Sequence, residues 1–152
     1  MDGTDRTLLG LLQDDAHLSC AELGRAVHLS PAAVHERVRR LRRDGVIRRT
    51  TVDLDAAALG RHLLAFVEVD TEGWVTEPLA EAVGDDPRVE EMHPVAGDTH
   101  FLVKVRVGGP GELQDLLRDL YAVPGVRNTR TRVALQTYVE RGPSPTTPPP
   151  AG

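Results

Sequence analysis

The sequence holds one cysteine, Cys20, and one lysine, Lys104, among 152 residues. A lone cysteine excludes an intrachain disulfide, and Cys20 has no CxxC partner. Aromatics make up 3 %, so any core must be built from Leu, Val and Ala. Small cores of this kind are often completed by oligomerisation. No apolar run approaches the roughly 20 residues that a membrane span needs. The start of the chain, with Asp2 and Asp5, lacks the basic region of a signal peptide. These features read as a cytoplasmic protein with no membrane partner. His17, His28, His35, His62, His93 and His100 lack compact metal-ligand spacing, so no metal site is expected. Only His93 and His100, which flank one hairpin, suggest a metal-binding or pH-sensitive pair. No catalytic cluster or cofactor motif stands out, and the chain does not read as an enzyme.

The charge that is present is unevenly placed. The whole chain carries a formal net charge of -5. Met1 to Val52 holds nine arginines against seven acids, a net of +2; the remainder holds nine basic residues against sixteen acids, a net of -7. A basic segment joined to an acidic one points to two separate tasks.

Hydrophobic periodicity supplies the elements. Asp5 to Gln13 reads as a helix with Leu8, Leu9, Leu11 and Leu12 on its apolar face. Ser19-Cys20-Ala21-Glu22 is a capping box and opens a short helix bearing Leu23, Ala26 and Val27. His28-Leu29 makes a turn. Ser30-Pro31 starts a third helix, with serine as cap and proline at the first helical position. Val34, Val38 and Leu41 share one face of it, and Gly45 ends it. Val46 to Val52 reads as a basic strand or ribbon with β-branched Thr50, Thr51 and Val52, and Ala56 to Leu59 as a helical turn. The pattern then becomes strand (Leu63–Thr71), helix (Thr76–Val83), strand (Val89–Val95), turn at Gly97-Asp98, strand (Phe101–Val107), helix (Gly111–Leu120) and a long strand from Val126 to Glu140. The fold class is α+β. A winged helix-turn-helix over 1–52 and a linker over 53–61 precede a ferredoxin-like βαββαβ domain over 62–141. Such a domain leaves one sheet face bare, and a partner chain is its simplest cover. Gly142 to Gly152 is Pro-, Ser-, Thr- and Gly-rich and reads as disordered.

A helix-turn-helix sets its second helix in the major groove, with that helix's N-terminal residues toward the base edges. Val34, Val38 and Leu41 would hold the helix to the core. Ser30, Ala32, Ala33, His35, Glu36, Arg37, Arg39 and Arg40 are then the candidates to meet double-stranded DNA, with Arg48 and Arg49 suited to the adjacent phosphates. The window from Ser30 to Thr50 holds seven arginines against Glu36 and Asp44. A solvated basic face is the plain alternative. Position on the third helix, followed by more arginines, favours DNA.

In order and spacing these residues resemble the Lrp/AsnC family of feast/famine regulators. The resemblance rests on Asp5-Arg6, Leu29-Ser30-Pro31, Arg37-Val38-Arg39-Arg40-Leu41 and Gly45-Val46-Ile47. It continues through Gly97-Asp98, Leu102 to Val107, Pro124-Gly125-Val126 and Thr129-Arg130-Thr131. It implies a transcription regulator that binds operator DNA as a homodimer or a larger assembly such as an octamer, and that answers to an amino acid. It also implies an effector site between protomers at Gly97, Asp98, Thr99, His100 and Phe101. The family's usual pattern has an Asp where this chain has His100, which leaves the effector's identity open. Two other readings share the architecture. Siroheme decarboxylases resemble it, and an architectural DNA-binding protein would use it without an effector.

Overall fold

Asp2 starts the first helix. Its carboxylate accepts the Asp5 N–H at 2.8 Å, and the Asp5 carboxylate accepts the Asp2 N–H at 3.0 Å. This reciprocal cap satisfies two otherwise orphaned donors. Helix α1 therefore spans Gly3–Asp14, starting two residues before the expected Asp5. The computed structural model describes residues 1–73 and 75–145. They fall into two compact units: Met1–Asp53 with the described residues from Glu140 onward, and Leu54–Val139.

In the first unit, α2 spans Cys20–Val27 and α3 spans Pro31–Arg43. Both begin on the caps expected from sequence. Ser19 Oγ accepts the Glu22 N–H at 3.2 Å, and Ser30 Oγ accepts the Ala33 N–H at 3.2 Å. Leu8, Leu23, Val34 and Val38 form the shared core. His28 closes α2 in the left-handed region, at φ 57°. The Leu29 N–H then returns to the Gly24 carbonyl at 2.9 Å. The reversal is so tight that a Cβ on Gly24 would stand 2.5 Å from the Leu29 carbonyl oxygen. Gly24→Ala is therefore expected to destabilise the unit by about 1–3 kcal/mol, the usual cost of overpacking. A lowered denaturation midpoint checks this; an unchanged midpoint would mean that the turn has room.

The stretch after α3 differs from expectation. Val46 to Val52 forms no strand. Its start is tied by the Ile47 N–H to the Leu41 carbonyl at 3.1 Å, and Arg48 to Val52 are exposed. β-branched residues favour a strand only where a neighbour can pair with them, and none does among the described residues. The arginines expected on a wing thus lie on an irregular arm. The disorder expected over Gly142 to Gly152 falls outside the described residues from 146 onward. Gly142 to Pro145 are described, and they run along α1. Gln13 Nε2 donates to the Pro143 carbonyl at 3.5 Å, and Arg6 Nη1 to the Pro145 carbonyl at 3.0 Å. A proline-rich segment buries little, but its carbonyls remain good acceptors.

The second unit holds β1 (Leu63–Thr71), α4 (Thr76–Gly84), β2 (Val89–Pro94), β3 (Phe101–Val107), α5 (Pro110–Ala122) and β4 (Val126–Val133). The sheet order is β2-β3-β1-β4, with every neighbour antiparallel. This is the βαββαβ arrangement expected from sequence. Period-two alternation turns Ala65, Val67 and Val69 of β1, and Phe101, Val103, Val105 and Val107 of β3, into the core. There they meet Leu79 and Val83 of α4 and Leu113, Leu116 and Leu120 of α5. The opposite face is mixed: Leu64, Phe66 and Leu102 share it with Glu68, Lys104 and Arg106. Glu68 accepts from Arg130 Nε at 2.9 Å and from Arg132 Nε at 2.8 Å, and Lys104 Nζ lies 3.1 Å from Glu90. β4 ends at Val133 rather than Glu140. The irregular segment that follows exposes Leu135, Tyr138 and Val139 at 99 %, 86 % and 69 %. Among the described residues, no helix is long and apolar enough to cross a membrane.

Candidate nucleic-acid interface

Helix α3 presents two different faces. Val34, Val38 and Leu41 are buried, as their spacing requires. Ala32, His35, Glu36 and Arg39 lie exposed on the opposite side, with Ala33 at its edge. Their spacing of three and four places them on one stripe. Ser30 caps the helix end from which that stripe begins. Within the stripe Arg39 Nη1 lies 3.5 Å from the Glu36 carboxylate, a loose exposed pair. Such pairs are weak and easily exchanged for another anion.

Arg37 and Arg40 behave otherwise. Both turn back toward α1 and bind the Asp5 carboxylate, which is 1 % exposed. Arg37 Nη1 donates to Asp5 Oδ1 at 2.8 Å and to Asp2 Oδ2 at 2.7 Å. Arg40 Nη2 donates to both Asp5 oxygens, at 2.8 and 2.7 Å. Burial alone would raise the Asp5 pKa. The Asp2 N–H and the Arg37 guanidinium outweigh it and hold the carboxyl below its ordinary value. The hydrogen bond from Arg37 likewise lowers the pKa of Asp2, and the bonds to Asp2 and Asp5 raise that of Arg37. Two arginines expected to face DNA are thus the bolts that fix α3 to α1. No local pattern signals this, since the partners lie more than thirty positions apart.

The remaining positive charge is on the arm. Arg48 and Arg49 are exposed and have no partner among the described residues. Arg42, near the end of α3, is likewise exposed and unpaired, although it was not among the expected contacts.

The expected ligand turn joins β2 to β3. Its loop closes on itself through the Val95 N–H, which donates to the His100 carbonyl at 3.0 Å, and is clasped onto β1, where the Val69 carbonyl accepts from Thr99 Oγ1 at 3.2 Å and from the His100 N–H at 3.3 Å. The Thr71 N–H donates to His100 Nδ1 at 3.2 Å. This assigns the ring proton of neutral His100 to Nε2, on the side away from β1. Gly97 adopts φ 141°, and Asp98 is exposed near Arg130. Phe101 differs from expectation. Its side chain is 0 % exposed and belongs to the core under the sheet, not to the surface of the turn. Sequence reading missed Asp70, whose Oδ1 is buried without a hydrogen bond. Its other oxygen is 3.6 Å from Arg130. Among the described residues, no group of three His, Cys, Asp or Glu is placed to hold a metal. His93 and His100 have separate partners, Glu91 at 2.9 Å and the Thr71 N–H at 3.2 Å.

Comparison with known proteins supplies the context. Residues 1–42 match the family model of the AsnC-type helix-turn-helix domain, and residues 64–144 match that of the Lrp/AsnC ligand binding domain. The leucine-responsive regulatory protein of Escherichia coli K12 is 39 % identical over 140 residues, covering 90 % of this chain and 85 % of that protein. The transcriptional regulator FL11 of Pyrococcus horikoshii is 31 % identical over 140 residues, covering 92 % and 93 %. A transcriptional regulator of Neisseria meningitidis, solved as its L-Met complex, shares the fold with a TM-score of 0.87 at 24 % identity, over 93 % of this chain and 94 % of that one.

Proposed function

Because the chain belongs to the Lrp/AsnC family of transcriptional regulators, we propose that its helical unit reads operator DNA and that its sheet unit adjusts this binding in response to an amino acid. The observation that carries the first half is the exposed stripe Ala32, His35, Glu36 and Arg39 beside the unpaired arm arginines Arg48 and Arg49. The stripe is suited to base edges. A guanidinium forks onto guanine, an alanine meets a thymine methyl, and a carboxylate accepts from cytosine. The arm is suited to phosphate, which positions the protein without specifying sequence. Ser30 and Ala33 contribute through the helix N-terminus, and Arg37 and Arg40 by holding its angle.

The amino-acid half rests on the leucine-responsive relative and on the turn from Gly97 to His100. The buried, unpaired Asp70 Oδ1 and the exposed Asp98 carboxylate are acceptors for an ammonium. His100 Nε2–H is a donor for a carboxylate. A second copy of the chain is the partner we assign to Leu135, Tyr138 and Val139. Apolar exposure of that extent on adjoining residues marks an interface. We read the protein as a regulator without enzymatic activity.

The test is fluorescence anisotropy on DNA from upstream of its own gene against a scrambled duplex, over a salt series and with a panel of amino acids. Preference for the native duplex, and a shift with one amino acid, support both halves. The double variant Arg48→Ala, Arg49→Ala is expected to weaken both duplexes by similar factors. It should also reduce the salt slope by about 2, since each phosphate contact contributes about 0.9. A variant with the parent slope would take the arm off the DNA.

A further inference from the structure

The helical unit contains a cleft of about 570 Å³ between α1, the arm after α3, and the chain from Gly142 to Pro145. Its walls include Leu9, Leu12 and Val46, and Arg42, Arg48 and Arg49 stand around it. No Asp or Glu lines it among the described residues. This contrasts with the rest of the unit, where Asp5 neutralises Arg37 and Arg40, and Asp44 lies 3.5 Å from Arg43. Of the four arginines that line it, Arg6 is engaged with the Pro145 carbonyl at 3.0 Å, whereas Arg42, Arg48 and Arg49 have no such partner among the described residues. The volume suits a compact organic molecule. An apolar floor under unneutralised guanidinium groups favours one chemistry, an anion on an apolar body. The apolar part gains from leaving water, and the charge gains hydrogen bonds that are stronger for being ionic.

We propose that this cleft is a second ligand site, for carboxylates with an apolar body, and that its occupant competes with DNA for Arg48 and Arg49. The competition rests on the DNA reading above; the binding does not. The site is separate from the ligand turn in the sheet unit and is built from different residues. Its ligand acts where the phosphate contacts are made and needs no signal carried between the units.

The test uses the full chain and isothermal calorimetry, with sodium octanoate as the probe and octanamide as its neutral counterpart. Octanoate is expected to bind saturably, and octanamide at least about tenfold more weakly, the loss of one charge-assisted contact. Val46 is 46 % exposed, so Val46→Glu puts a carboxylate in the cleft without burying it. It should weaken octanoate at least about tenfold with an unchanged thermal midpoint. If Val46→Glu fails to fold, Arg42→Gln takes its place, at an exposed residue. Equal binding of octanoate and octanamide, unchanged binding in the folded variant, or no saturable binding would each overturn the site. In anisotropy, octanoate should release duplex DNA from the parent but not from Val46→Glu. Octanoate that binds and leaves DNA affinity unchanged overturns the competition. A protein that binds no duplex at all fails the DNA reading, and calorimetry still decides the cleft.

Discussion

Replacing Asp5 with alanine is expected to cost the helical unit about 3–5 kcal/mol, the range for breaking a buried ion pair on one side. The variant loses more than a charge. Asp5 accepts the Asp2 N–H that starts α1, and it receives Arg37 and Arg40 from α3. Without it, Arg40 loses its carboxylate, Arg37 keeps only Asp2, and the α1 cap loses one arm. Amide exchange within α1 and α3 is the suitable readout, because it reports this unit alone; protection there should fall by about two to four orders of magnitude. Protection equal to the parent would show that Asp5 holds nothing. The acid limb follows from the same group. Its folded pKa lies below the ordinary 3.8. The stability it adds is therefore complete above that value and is lost as pH falls through the lower folded one. Asp2 and Glu22, lowered by Arg37 and Ser19 respectively, act in the same direction. The parent should weaken below about pH 3.8, and Asp5→Ala should show a shallower decline. A consequence for DNA work is that Arg37→Ala with Arg40→Ala tests folding together with binding, whereas Arg39, Arg48 and Arg49 test binding.

What could be read beforehand divides along physical lines. Caps and periodicity are local, so Ser19 with Glu22, Ser30 with Pro31, and the βαββαβ order were legible. The Asp5 clasp joins residues more than thirty positions apart, and no local pattern encodes it. Thr50, Thr51 and Val52 have strand propensity, but propensity supplies no pairing partner, and the arm stays irregular. β4 ends before the expected Glu140 for a similar reason. Alternation weakens after Val133, and Leu135, Tyr138 and Val139 are apolar yet outside this chain's core. The exposed stripe on α3 followed from its buried one, because an amphipathic helix that fixes one face fixes the other. The placement of Phe101 was also available. Val103, Val105 and Val107 point inward, and Phe101 has the same parity.

That parity makes Phe101→Ala the other large effect, expected at about 3–5 kcal/mol, as for other buried aromatics cut to alanine. The ring is among the largest fully buried side chains, and its residue pairs with Val69 across β1 and β3. A cavity there loosens the strand that carries the turn, so any loss of amino-acid response in this variant would follow from loss of the sheet. His100→Ala separates the two. It removes one acceptor from the Thr71 N–H, a loss of about 1 kcal/mol, and leaves the core intact. With the turn as the effector site, His100→Ala stays folded and its amino-acid response weakens, whereas Phe101→Ala unfolds at lower denaturant first. Denaturant midpoints beside anisotropy titrations of both variants decide this. A Phe101→Ala cost under about 1 kcal/mol would mean that the ring is not held by the core and is free to meet a ligand.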